Sequence, residues 1–134
     1  MSHVVKVQLK ITNLDTLADA CDELGLVLVR GQQTHRSFAS SSNKCEHVIR
    51  TKTHQAGDYD IGLVKADDGT GYVPAYDNFG RSGAKLDKLA GRNLVGLKDA
   101  YASRTAQKFL WSKGHRVVRK QLAGGGWQVT AIQS

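Results

Sequence analysis

The residues best suited to chemistry in this chain are cationic and aromatic. Arg104, Lys108 and Trp111 recur at the spacing of one helical stripe, and Arg116, Arg119 and Lys120 follow on a segment with strand-like alternation. Guanidinium and ammonium groups in this arrangement suit phosphate oxygens, and an indole beside them suits the face of a base. Trp127, just beyond Gly124-Gly125-Gly126, can line a pocket with the basic strand, and Tyr72, Tyr76 and Phe79 add ring surface. The same rings are also what an ordinary core needs, and the same charges are what a solvated face carries.

Other chemistries are poorly supported. Cys45-Glu46-His47 with His54 collects thiolate and imidazole ligands, with Cys45 and His47 expected on one strand face. A zinc site needs two short spaced pairs that converge, and the second pair is missing. Ser40, Ser41 and Ser42 lack the Gly-x-Ser-x-Gly elbow of a nucleophilic serine. The acid pairs Asp58 with Asp60 and Asp67 with Asp68 flank a hairpin, where Asp is ordinary turn chemistry. The triple glycine precedes a strand, whereas phosphate-cradling loops open a helix. No nucleophile, base and orienting partner assemble at workable spacing, so the sequence predicts no catalytic residues, no metal and no cofactor.

The chain that positions these residues has 134 of them, 40% hydrophobic and 23% charged, with a net charge of +7. That length suits a single domain over 1–134 with one core and excludes a separate cofactor module. The charge is polarised. Residues 81–120 hold 11 basic side chains against Asp87 and Asp99, a surplus of nine, while the remainder of the chain carries a net −2. No apolar run approaches the roughly 20 residues of a membrane span. The opening Met-Ser-His-Val-Val-Lys lacks the basic and apolar segments of a secretory leader, which points to a cytoplasmic setting with Cys21 and Cys45 as reduced thiols.

Periodicity supplies the elements. Val5, Val7, Leu9 and Ile11 alternate with polar residues as a strand, and Asn13 caps a helix whose apolar positions run from Leu14 to Leu24 before Gly25 stops it. Strands follow at Leu26–Arg30 and Cys45–Thr53, with an aperiodic flexible loop near 37–44 between them. Residues 59–66 and 71–76 form a hairpin closed by Asp67-Asp68-Gly69-Thr70, with Pro74 expected on an edge strand. Helical spacing resumes at Ala84, breaks near Gly91 and continues from Leu94 to Gly114. Leu94, Tyr101, Thr105 and Phe109 are expected inside, and the strands 115–122 and 127–132 close the chain. The layout is α+β: a mostly antiparallel sheet with two helices on one face, in the order β-α-β-β-β-β-α-β-β.

The opening Met1–Val7, the run Asn13–Gly25, Tyr59-Asp60-Ile61, the stretch 72–79 and Lys113-Gly114-His115 resemble the family typified by the hypothetical chloroplast reading frame ycf thirty-five, with relatives in cyanobacteria, other bacteria and phages. The resemblance implies no catalytic residues. The residues themselves point first to a small non-enzymatic protein that holds a polyanion, above all nucleic acid. The expected ligand-binding set is Arg104, Lys108, Trp111, Arg116, Arg119, Lys120 and Trp127. Two other readings are a protein-interaction adaptor of a larger complex and a sequestering protein for a small nucleotide.

Overall fold

The computed structural model describes residues 4–132. Met1, Ser2 and His3, on which the leader reading and part of the family resemblance rest, lie outside the described residues, as does the side chain of Val5. The chain is a small α+β fold built on a five-stranded, fully antiparallel sheet. Its strands are β1 (Val4–Lys6), β2 (Leu26–Arg30), β5 (His47–Thr51), β6 (Ile61–Lys65) and β7 (Tyr72–Asp77), in the spatial order β1-β7-β6-β5-β2. Two short strands, β3 (Thr34–His35) and β4 (Asn43–Lys44), pair with each other, and β8 (Arg116–Gln121) and β9 (Trp127–Ile132) form a separate ribbon.

Helix α1 (Leu14–Glu23) starts where its sequence says it should. The Asn13 side chain accepts from the Thr16 N–H at 3.0 Å, satisfying one of the first turn's orphan donors. The second helical region is divided as its glycines require: α2 (Gly80–Ala90), a 3₁₀ turn (Arg92–Leu94) and α3 (Val95–Ser112). Gly91 sits at φ 83° and a Cβ there would meet the Gly96 nitrogen at 2.6 Å, so only glycine permits the close crossing. Buried Tyr76 pins the bend, donating to Asp87 at 2.7 Å and accepting from the Asn93 N–H at 3.1 Å. Burial, and then the Asp87 carboxylate, hold its phenol protonated well above the ordinary range.

One sheet face meets the helices. Leu26, Ile49, Ile61, Leu63 and Tyr76 join Leu17 and Cys21 of α1, Leu86 of α2 and Leu97 and Tyr101 of α3 in one buried cluster. The other face carries the β3–β4 hairpin, whose His35 imidazole lies over Gly62. A Cβ on that glycine would come within 2.3 Å of the ring. No helix among the described residues is long and apolar enough to cross a membrane.

Several expectations need correction. The first strand stops at Lys6, because Leu9 donates back to the Val7 carbonyl at 2.8 Å; pairing resumes only as a bridge between Ile11 and Tyr72. Pro74 is therefore not on an edge strand: β7 lies between β1 and β6. Tyr72 exchanges both hydrogen bonds with Ile11, so by the two-residue period the same side of Pro74 faces the Val7–Lys10 interruption, where a missing donor costs nothing. The loop expected near 37–44 is shorter, 36–42, because Asn43–Lys44 pair with Thr34–His35, and it closes the β3–β4 hairpin. Ser37 donates to Ser40 at 2.7 Å, and the Phe38 N–H reaches Asp77 at 2.7 Å. The last two strands do not join the main sheet; they pack on α3. Finally, the inner stripe of α3 is Leu97, Ala100 and Tyr101, while Thr105 is exposed and Phe109 is 58% exposed.

Candidate nucleic-acid interface

Helix α1 faces α3 and the ribbon with a row of acids, and these meet three of the five cations singled out by the sequence. Glu23 Oε1 accepts from Arg104 Nε at 3.1 Å and from Arg119 Nη2 at 2.9 Å. Asp19 takes Lys108 at 3.0 Å. Arg119 is the most enclosed of the three, its side chain 9% exposed. It also donates to Ser103 Oγ at 2.7 Å, and its guanidinium lies 4.0 Å from the centroid of Trp127. Stacking on the indole and pairing with the carboxylate together fix the ribbon to the helices. Arg104, Lys108, Arg119 and Trp127 are thus brought together as a joint between α1, α3 and the ribbon.

Arg116 and Lys120 go elsewhere. In a strand successive side chains alternate, so Val117 and Arg119 turn toward α3 while Arg116, Val118 and Lys120 turn outward. Their partners across the ribbon, Ile132, Thr130 and Gln128, are also exposed. Among the described residues no carboxylate lies within 4.0 Å of Arg116 or Lys120. At the ribbon's tip Gly125 and Gly126 have φ 99° and 80°, a backbone that side-chain-bearing residues rarely adopt, and Leu122 donates to Gly126 at 3.0 Å. Trp111, on the last turn of α3, is 51% exposed, and Lys113 sits 5.5 Å over the Phe109 ring. Of the sequence-derived set, Trp111, Arg116 and Lys120 face solvent.

The structure also gathers a group that sequence periodicity missed. Beside the β3–β4 hairpin, buried Asp60 lies 3.5 Å from His54 Nδ1 and 3.7 Å from Arg50 Nε, and His35 is buried close by. Burial lowers the His35 pKa, opposed by the nearby Asp60 charge and by a hydrogen bond to the Asp60 backbone. Asp58, although only two residues away, does turn chemistry: it pairs with Lys85 at 2.8 Å and accepts from the Gln55 N–H, which hold its carboxyl below the usual range. Asp68 likewise accepts from Thr70 and pairs with Lys10, and its pKa falls to about 2. The adjacent strand residues Arg50 and Ile49 carried the one available signal, a cation alternating with an apolar residue on a strand buried on both faces.

Cys45 and His47 do not share a face. The thiol donates to the Gln32 carbonyl at 3.4 Å, whereas His47 Nδ1 accepts from the Gly31 N–H at 2.9 Å and its ring meets Tyr72 edge-on at 5.0 Å. Burial, reinforced by Asp60, pushes the Cys45 thiol up to about 11, and burial alone pushes Cys21 to about 12, so neither is a thiolate at neutral pH. Among the described residues no group of three His, Cys, Asp or Glu side chains could hold a metal ion. Comparison of the chain with protein-family models, with curated proteins and with solved structures found no match.

Proposed function

We propose that this chain is a non-catalytic cytoplasmic protein that holds nucleic acid against the outward face of the β8–β9 ribbon. One observation carries the reading: Arg116 and Lys120 stand on the same exposed ribbon face without a carboxylate within 4.0 Å among the described residues, although other cations of the basic half are neutralised by α1. A two-stranded ribbon has the cross-section that the DNA major groove admits. Its two cations are four residues apart, each two from Val118 and so about 13 Å from one another along the strand, a span that reaches separate phosphates of one backbone, while the glycine tip lets a backbone approach closely. Trp111 supplies an exposed ring for stacking next to Lys113. Trp127, engaged by Arg119, belongs to the joint.

The test is fluorescence anisotropy on a labelled DNA duplex across a salt series. Affinity falls linearly with salt on logarithmic axes. Arg116→Ala with Lys120→Ala reduces the slope by about 0.9 for each phosphate no longer neutralised, equally across duplex sequences. Arg104→Ala with Lys108→Ala leaves that slope in place. Absence of binding by the parent at low salt refutes the proposal.

A further inference from the structure

Helix α3 has three sides. One lies in the core with α1, one carries the ribbon, and the third is uncovered. Two hollows open on this third side. One of about 550 Å³ lies between α3 and the Leu9 segment, bounded by Thr105 and Phe109; the other, about 390 Å³, lies between α3 and the ribbon, bounded by Leu122 and Val129. Both are lined by Ala102 and Ala106, so they adjoin as one trough along the helix, apolar on the Leu9 side and carrying Asp99 and Ser103 on the ribbon side.

The shape selects a helix as occupant. Ala102 and Ala106 are exposed and one turn apart, which lets a second helix axis approach to about 8 Å, the close end of helix packing. From Lys98 to Phe109 the trough runs along roughly 16 Å of α3, enough for three turns of a partner with apolar residues at i, i+3 or i+4, and i+7. Charge selects the kind of helix. Lys98 lines one end, Lys113 overhangs Phe109 at the other, and among the described residues neither has a carboxylate within 4.0 Å. Asp99 lines the ribbon side of the trough, so the cationic rim is the one on the Leu9 and Phe109 side. A second copy fits badly: antiparallel pairing through the two alanines sets Lys98 of each copy beside the Lys113 end of the other, on chains of charge +7.

We infer that the trough formed by Leu9, Ala102, Ala106 and Phe109 with the ribbon is a docking site for an amphipathic helix of a partner protein whose flank is acidic and meets Lys98 and Lys113. This surface is separate from the outward ribbon face and does not rest on nucleic-acid binding.

The test uses the full chain and a display library of helical peptides. Apolar residues are fixed at i, i+3, i+4 and i+7, and the flanks are randomised among Glu, Gln and Lys. Selection enriches Glu at the flanks, and the winning peptides, labelled and measured by anisotropy, lose about tenfold or more in affinity for Ala106→Gln. Gln is a good helix former at this exposed position, and thermal melting verifies that the variant folds. Lys98→Glu with Lys113→Glu reverses the preference to Lys-flanked peptides, whereas Arg116→Ala with Lys120→Ala leaves peptide affinity unchanged. The inference is overturned by failure to enrich any peptide, by equal enrichment of Glu and Lys flanks, by equal binding to Ala106→Gln, or by a chain dimer in sedimentation that Ala106→Gln dissolves.

Discussion

Replacing Glu23 with Ala tests the joint that redirects the basic half. The carboxylate is the shared acceptor of Arg104 and Arg119, whose side chains are 26% and 9% exposed. Arg104, about a quarter exposed, keeps access to water and loses about 1 kcal/mol or less. Arg119 does not. Its guanidinium stays pinned between Ser103 and Trp127 with its countercharge gone, and breaking such a pair from one side costs about 3 to 5 kcal/mol. With Glu23 itself 17% exposed, the lower end applies, about 3 kcal/mol in all. An unfolding entropy near 2.1 cal/mol/K per residue converts this to a fall in melting temperature of about 10 °C for a chain of this length. The assay is thermal unfolding by far-UV circular dichroism, with Asp19→Ala as control. The Asp19–Lys108 pair is 52% and 35% exposed, and its loss costs about 0.5 kcal/mol, or about 2 °C. Adding Arg119→Met to Glu23→Ala recovers part of the loss, since no enclosed charge is then left alone. Equal melting temperatures for Glu23→Ala and Asp19→Ala would refute the reasoning.

The pH dependence of stability follows from His35. Its folded pKa lies below the unfolded value of 6.5, so the unfolded chain takes up the proton first; the stability it confers is complete above pH 6.5 and declines as pH falls below that value. Urea midpoints measured between pH 7.5 and 5.5 decline accordingly, and His35→Phe flattens that decline. Gly62→Ala drives a Cβ to 2.3 Å from the His35 ring and destabilises by about 1 to 3 kcal/mol; the same substitution in a His35→Ala background costs markedly less by chemical denaturation. Tyr101→Phe removes the hydroxyl that accepts from the Thr12 and Asn13 N–H groups at 3.0 and 3.2 Å and costs about 1 to 3 kcal/mol, whereas Phe109→Ala, on an exposed ring, changes the urea midpoint little.

What the sequence made legible was local. The Asn13 cap, the Asp67–Thr70 turn and the break at Gly91 each depend on the backbone preferences of a few adjacent residues, and each is found where those preferences place it. Binary patterning located the longer strands but neither their neighbours nor the two-residue strands β3 and β4. A six-residue ribbon with one apolar face reads the same whether that face covers a helix or extends a sheet, which is why patterning alone assigns β8 and β9 to the main sheet. Along α3 and the turn before it, Leu94, Tyr101 and Phe109 all fit one apolar stripe, yet Leu94 and Tyr101 are buried and Phe109 is exposed, a difference set by what packs beside the helix and not by its own spacing. The partners of the cations were invisible for a different reason. Glu23 and Arg119 are 96 residues apart, and no spacing rule connects a charge on the first helix with one on the eighth strand. The Asp60 group likewise draws on three separate segments of chain.

The separateness of the ribbon has a kinetic consequence. The five-stranded sheet is braced on one side by three helices, but β8 and β9 hydrogen-bond to each other and rest chiefly on α3. Their opening exposes Trp127 and the inner face of one helix while the main core remains shut, so the ribbon amides exchange with solvent by a local route below the cost of global unfolding. Glu23 is the latch on that route. Loss of about 3 kcal/mol at the latch multiplies the open population by about a hundredfold, so hydrogen exchange at Val117–Lys120 accelerates by that factor and stays ahead of the β5 and β6 amides, which open only by global unfolding and accelerate with the equal loss of global stability.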